Sequence, residues 1–145
     1  MSAAGFEHYE LTNYTRPGLY SRHNSAYWDR SPYLGIGNGA HSFDGVRRFW
    51  NRRDTREHIT AIDAGGIIEE GDEVLTPEQV AQEIVYLGLR TAMGIGWDVV
   101  REHCKEGMAE KMIEAGFLVP REGGVRMAED RWLMLDDVVL RLMGG

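Results

Sequence analysis

Cysteine is almost missing from this 145-residue chain: Cys104 stands alone. One thiol excludes an internal disulfide, a four-cysteine zinc site and a self-contained iron–sulfur cluster. On an apolar helical face such a residue reads as a small buried hydrophobe. Long apolar runs are missing too, none approaching the roughly 18 residues that a membrane span needs. No basic-then-apolar signal peptide is read from the first residues, and the composition suits a reducing cytoplasm. Proline is scarce, with four residues. Basic charge is scarce in the second part of the chain. Through Arg56 there are 8 basic and 5 acidic residues, and beyond it 8 basic and 18 acidic. An acidic surface of that kind excludes nucleic acid, because phosphate binding needs clustered Lys and Arg. The positive charge of the first part comes from arginine alone, a side chain whose fork suits carboxylates such as propionates.

An apolar content of 43% with 27% charged residues is that of a soluble globular protein. Phe6–Leu11 alternates and is rich in aromatics, so a strand is expected there. It begins abruptly, which reads as a fold whose earlier part lies elsewhere. Residues 12–32 read as a long loop with turn markers at Arg16-Pro17-Gly18 and Ser31-Pro32. Its aromatics Tyr14, Tyr20, Tyr27 and Trp28 favour a functional loop over a linker. Tyr33–Gly37 and Val46–Asn51 read as strands, Thr55–Asp63 as a helix, and residues 67–75 as an acidic connector.

Thr76-Pro77-Glu78-Gln79 is a helix start, with Thr as cap, Pro at the first position and Gln three residues on. The helix is expected to run to about Met93 and to bury Val80, Ile84 and Leu87. Two shorter helices follow, Trp97–Cys104 and Met108–Ala115. A hairpin is expected around Gly123-Gly124, and a last helix from Ala128 to Leu142. Three helices, a two-stranded wing and a final helix make a winged-helix-like pattern. The middle of it carries Glu110 and Glu114 against Lys111 alone, the wrong electrostatics for DNA. Glu129-Asp130 and Asp136-Asp137 read as a solvated face, since they interleave with Leu133, Val138 and Leu142.

Two segments carry chemistry. His23-Asn24-Ser25-Ala26-Tyr27-Trp28 gathers an imidazole, an amide, a phenol and an indole. His23 there can ligate haem iron while the aromatics stack on a macrocycle, or it can hold the loop through a backbone hydrogen bond. Leu34-Gly35-Ile36-Gly37-Asn38-Gly39-Ala40-His41-Ser42 lets backbone approach a ligand or neighbouring backbone. A dinucleotide fingerprint is a poor reading of it, since the third glycine of GxGxxG is missing. His8, His23 and His41 lack the helical spacing of a shared metal site.

Together with Tyr9-Glu10-Leu11-Thr12-Asn13-Tyr14 and Leu87-Gly88-Leu89-Arg90, these segments resemble the HemW branch of the oxygen-independent coproporphyrinogen-III-oxidase-like radical SAM family. The similarity extends over nearly the whole chain. HNxxYW combined with GIGxGAHS is a specific signature. The resemblance implies an α+β fold. Residues 1–66 would hold the last strands of a partial (β/α) barrel, and residues 67–145 a helical, winged-helix-like C-terminal domain. It implies a C-terminal portion of a haem chaperone, binding haem through His23, Asn24, Tyr27 and Trp28, with His23 as axial ligand and Arg16 or Arg22 meeting propionates. By the same resemblance, Gly37, Gly39, Ala40 and His41 lie beside S-adenosylmethionine. The family's CxxxCxxC motif for a 4Fe–4S cluster has no counterpart here, so radical chemistry by this chain alone is not expected. Implied partners are haem, haem-accepting respiratory proteins and a missing N-terminal barrel half; membrane contact would come only through partners. Two other readings stand beside this one: a non-catalytic protein-interaction module, and one half of a split radical SAM enzyme.

Overall fold

A computed structural model describes residues 4–145; the first three residues of the expected 1–66 segment lie outside the described residues. The fold is mixed α/β. It divides into two compact units, residues 1–29 with 78–145, and residues 30–77.

In the first unit, strands β1 (Glu7–His8) and β2 (Tyr14–Thr15) form a two-stranded antiparallel ribbon, followed by helix α1 (Arg22–Trp28). The strand expected over Phe6–Leu11 is therefore short. Its second half pairs instead with the end of a distant helix: Glu10 bridges Thr91, Leu11 N–H donates to the Arg90 carbonyl at 3.0 Å, and Ala92 N–H donates to the Tyr9 carbonyl at 3.0 Å. That pairing also ends the helix early. Helix α3 spans Pro77–Leu89, with proline at its first position as its missing N–H allows.

The core places the buried face of α3 at Val85 and Leu89, while Val80, Ile84 and Leu87 are half-buried. The cause is Trp132, whose buried indole N–H donates to the Leu89 carbonyl at 3.1 Å and fixes the rotation of the helix. Helices α4 (Trp97–His103) and α5 (Met108–Glu114) precede a hairpin of β7 (Leu118–Arg121) and β8 (Gly124–Met127). A short strand β6 (Ile95–Gly96) pairs with the free side of β8. A 3-10 segment, Glu129–Met134, leads into the last helix (Leu135–Met143), splitting the single helix expected there. Val85, Leu89, Val125, Trp132, Val138 and Leu142 form the centre of the core. Leu133, expected to face inward, is 95% exposed.

The second unit is a three-stranded antiparallel sheet of β3 (His41–Phe43), β4 (Arg47–Asn51) and β5 (Glu69–Val74), with helix α2 (Thr55–Asp63). Asp54 caps α2 by accepting from Arg56 N–H and Glu57 N–H. The segment read as an acidic connector is strand β5. Its carboxylates face the arginines of β4: Arg47 is 3.3 Å from Glu69 and 3.8 Å from Asp72, and Arg48 is 4.0 Å from Glu73. Acidic residues disfavour a strand in isolation, but opposite charges across a ladder remove that cost. The expected strand at Tyr33–Gly37 is reduced to one bridge, Tyr33 to Phe43, after which the glycine run bends.

Candidate functional site

The segment read as a loop around His23 is a helix. Ser21 Oγ accepts from Asn24 N–H at 3.2 Å, and the Asp29 N–H closes the last turn on the Ser25 carbonyl. A capped serine followed by alanine, tyrosine and tryptophan is enough for seven helical residues, and the signal was the Ser-x-x-Asn spacing. His23 and Tyr27 lie one turn apart, with ring centroids 5.0 Å apart and planes at 88°. Both are exposed. Such an edge-to-face pair restricts the orientation of the imidazole.

Asn24 and Trp28 fall on other sides of α1. Trp28 packs against Tyr9 at 5.8 Å, and Tyr9 in turn against Tyr20 at 5.3 Å. These rings, with Ser25 and the turn Thr91–Gly94, border an apolar hollow of about 460 Å³. His23 does not border it. The structure thus brings His23 to Tyr27 and Trp28 to the hollow, on different faces of one short helix. Asp29 and Gly88 also border the hollow, and the sequence distance of Tyr9, Tyr20 and Met93 from Trp28 concealed them.

The second segment belongs to the other unit. Gly35 passes so close to β3 that a Cβ there would meet the His41 carbonyl oxygen at 2.2 Å, and its N–H donates to the buried Ser42 Oγ at 2.9 Å. Gly37 and Gly39 have φ of +101° and +64°, a region glycine enters without strain. Gly39 N–H donates to the Arg52 carbonyl, Asn51 N–H to the Ala40 carbonyl, and Asn51 Nδ2 to the Gly37 carbonyl at 2.8 Å. The glycine run therefore packs against its own sheet. His41 opens β3, exposed, with its ring 5.7 Å from Trp50. Gly37 borders a second hollow of about 500 Å³, together with Leu34, Ile36, Ile62 and His58. His58 is buried and its Nδ1 has no hydrogen-bond partner.

Burial pushes the Cys104 thiol up to about 11, so it stays protonated near neutrality and is a poor cluster ligand. Among the described residues, no group of three or more His, Cys, Asp or Glu is placed to hold a metal ion, and no helix is long and apolar enough to cross a membrane. His8 stacks on Tyr14 at 4.1 Å and meets the Trp132 ring edge-on at 4.3 Å.

Comparison with known proteins adds the following. The chain is 32% identical over all of its 145 residues to proteins named heme chaperone HemW from two strains of Mycobacterium tuberculosis, and it covers 37% of their length. A protein of the same name from Bacillus subtilis is 36% identical over 96 residues, 66% of this chain and 25% of that protein. The mouse mitochondrial radical S-adenosyl methionine domain-containing protein 1 is 29% identical over 163 aligned residues, 97% of this chain and 36% of that protein. The matched stretch thus spans between a quarter and little more than a third of the length of these relatives. No family model matches. In fold, the structure of Escherichia coli coproporphyrinogen III oxidase (HemN), described as a radical SAM enzyme, superposes with a TM-score of 0.67 at 14% identity. That match covers 99% of this chain and 38% of the other.

Proposed function

Because this chain belongs to the HemW-like proteins of the radical SAM family, we propose that it carries haem on helix α1, with His23 as the axial iron ligand. The observation that carries this reading is the exposed His23 imidazole, held edge-on by Tyr27 one helical turn away. An exposed imidazole on a capped helix is a preoriented ligand for haem iron. Asn24 and Trp28 sit on other sides of the same helix, and Arg16 and Arg22, both exposed, supply guanidinium groups for propionates.

In this proposal the whole protein is a haem chaperone of the cytoplasm. Its cargo is passed to haem-accepting respiratory proteins, and residues 1–66 complete a partial (β/α) barrel. The winged-helix-like C-terminal domain, expected from residue 67, begins after β5 in this reading, because that strand belongs to the sheet of residues 30–77. Gly37, Gly39, Ala40 and His41 would lie beside S-adenosylmethionine, which as a cofactor supplies a radical on reductive cleavage. The 4Fe–4S cluster needed for that cleavage does not fit this chain, which offers one protonated, half-buried thiol. Cluster ligation belongs to other chain segments, and none of the haem-carrying role depends on it. The exposed Leu34, Ile36 and Ile62 around the second hollow are suited to contact with the remaining barrel strands.

A haem titration of the purified chain, followed at the Soret band, tests the reading. Saturable binding is expected, with a ligand spectrum that changes in His23→Ala while the far-UV circular dichroism does not. Identical binding and spectra in the two proteins would overturn it.

A further inference from the structure

We propose that α1 is a clasp whose first turn winds to hold haem iron and unwinds to release it, with Ser21 as the positioning residue that sets the balance. The proposal rests on His23 as the iron ligand and concerns how that site is opened.

Ser21 caps α1, and His23 is the second residue inside the helix. The Ser21 Oγ accepts from Asn24 N–H at 3.2 Å, and the Ser21 carbonyl accepts from Ser25 N–H at 2.9 Å. These two bonds close the turn that carries His23. At the other end Trp28 packs on Tyr9 with ring centroids 5.8 Å apart, and Asp29 N–H closes the last turn on the Ser25 carbonyl at 3.1 Å. Tyr27 belongs to that anchored end. Opening of the first turn therefore carries His23 away from Tyr27 and ends the edge-on contact of their rings.

The helix is short and lies outside the core. It has seven residues, none of them buried, and no acidic side chain in its first turn to meet the helix dipole. No residue of α1 belongs to the core cluster. Isolated helices shorter than about 12–15 residues are marginal in water, and segments with few buried contacts open locally at little cost. The wound turn is the state that orients His23, so haem affinity scales with the population of that state. Loss of a serine cap is enough to move such a population several-fold. On release the iron–nitrogen bond opens, its electron pair stays with the imidazole, and the iron keeps its charge.

The full chain as wild type, Ser21→Ala and Ser21→Asn tests this, with His23→Ala as control. Asparagine caps as well as serine and brings no charge. In the haem-free proteins, hydrogen exchange at Asn24 and Ser25 should be faster in Ser21→Ala than in wild type, with exchange at the buried Val85 and Leu89 unchanged. Ser21→Ala should bind haem about threefold to fivefold more weakly. It should pass haem to apomyoglobin faster by a similar factor, at an unchanged urea midpoint. Ser21→Asn should restore exchange, affinity and transfer rate to those of the wild type. Wild-type affinity and transfer in Ser21→Ala, a lowered urea midpoint, or no rescue by asparagine overturns the clasp. Where His23→Ala has lost the iron ligand, those results leave the His23 reading standing. A His23→Ala protein indistinguishable from wild type, or a wild type that binds no haem, overturns that reading and the clasp with it.

Discussion

The Arg90 guanidinium lies 3.0 Å from the Glu10 carboxylate, a side chain with no solvent exposure at all. The other carboxylate oxygen of Glu10 accepts from Thr12 N–H at 2.8 Å and from Thr12 Oγ1 at 2.6 Å. This group ties the N-terminal ribbon to the end of α3, and so holds Tyr9 beside the hollow. Removing one partner of such a pair strands the other charge in the interior. Arg90→Ala is expected to cost about 3 kcal/mol, measured as a lowered urea midpoint.

The same group sets an acid sensitivity. Burial raises the pKa of Glu10, but the Thr12 hydrogen bonds and Arg90 outweigh it, and the net shift is below the ordinary 4.5. A carboxyl whose pKa is depressed on folding contributes stability in full above its unfolded value. That contribution is lost as pH falls through the folded value. The urea midpoint of the wild type should therefore drop more steeply on acidification below 4.5 than that of Glu10→Gln. Parallel curves would assign the acid loss to other groups.

Gly35→Ala should destabilise residues 30–77. The added methyl would overlap the His41 carbonyl oxygen, and backbone cannot yield as a flexible side chain does. A cost of roughly 1–3 kcal/mol is expected for such overpacking, read by hydrogen exchange at β3 and β4. Exchange unchanged from the wild type would mean that the glycine run does not need its close approach.

Cys104 should react slowly with thiol reagents in the folded protein, since burial keeps its pKa near 11 and the thiolate is the reactive form. Labelling at neutral pH with and without urea checks this. Equal rates in the two would show an accessible, normal thiol.

Elements whose signals are local were legible in the sequence. Helix α2 spans the expected Thr55–Asp63, and Pro77 opens α3 as its capping residues indicate. Elements that depend on distant partners were not. Strand β5 carries four carboxylates in six residues and becomes a strand because Arg47 and Arg48 lie across from it. Met93, expected inside α3, leaves it because residues 90–92 pair with the N-terminal ribbon. The site divides along the same line. His23 and Tyr27 were visible as neighbours at one-turn spacing once helical. The hollow draws Tyr9, Tyr20, Trp28 and Met93 from three separate stretches, and no periodicity joins them.

The central claim is that His23 ligates haem iron from the exposed face of α1, and rescue by free imidazole tests it most directly. Haem affinity and the Soret spectrum would be measured for His23→Gly with and without added imidazole. Restoration of the wild-type spectrum by imidazole in the variant, with no effect of imidazole on the wild type, is the result predicted. A His23→Gly protein whose haem spectrum already equals that of the wild type before imidazole is added would contradict it.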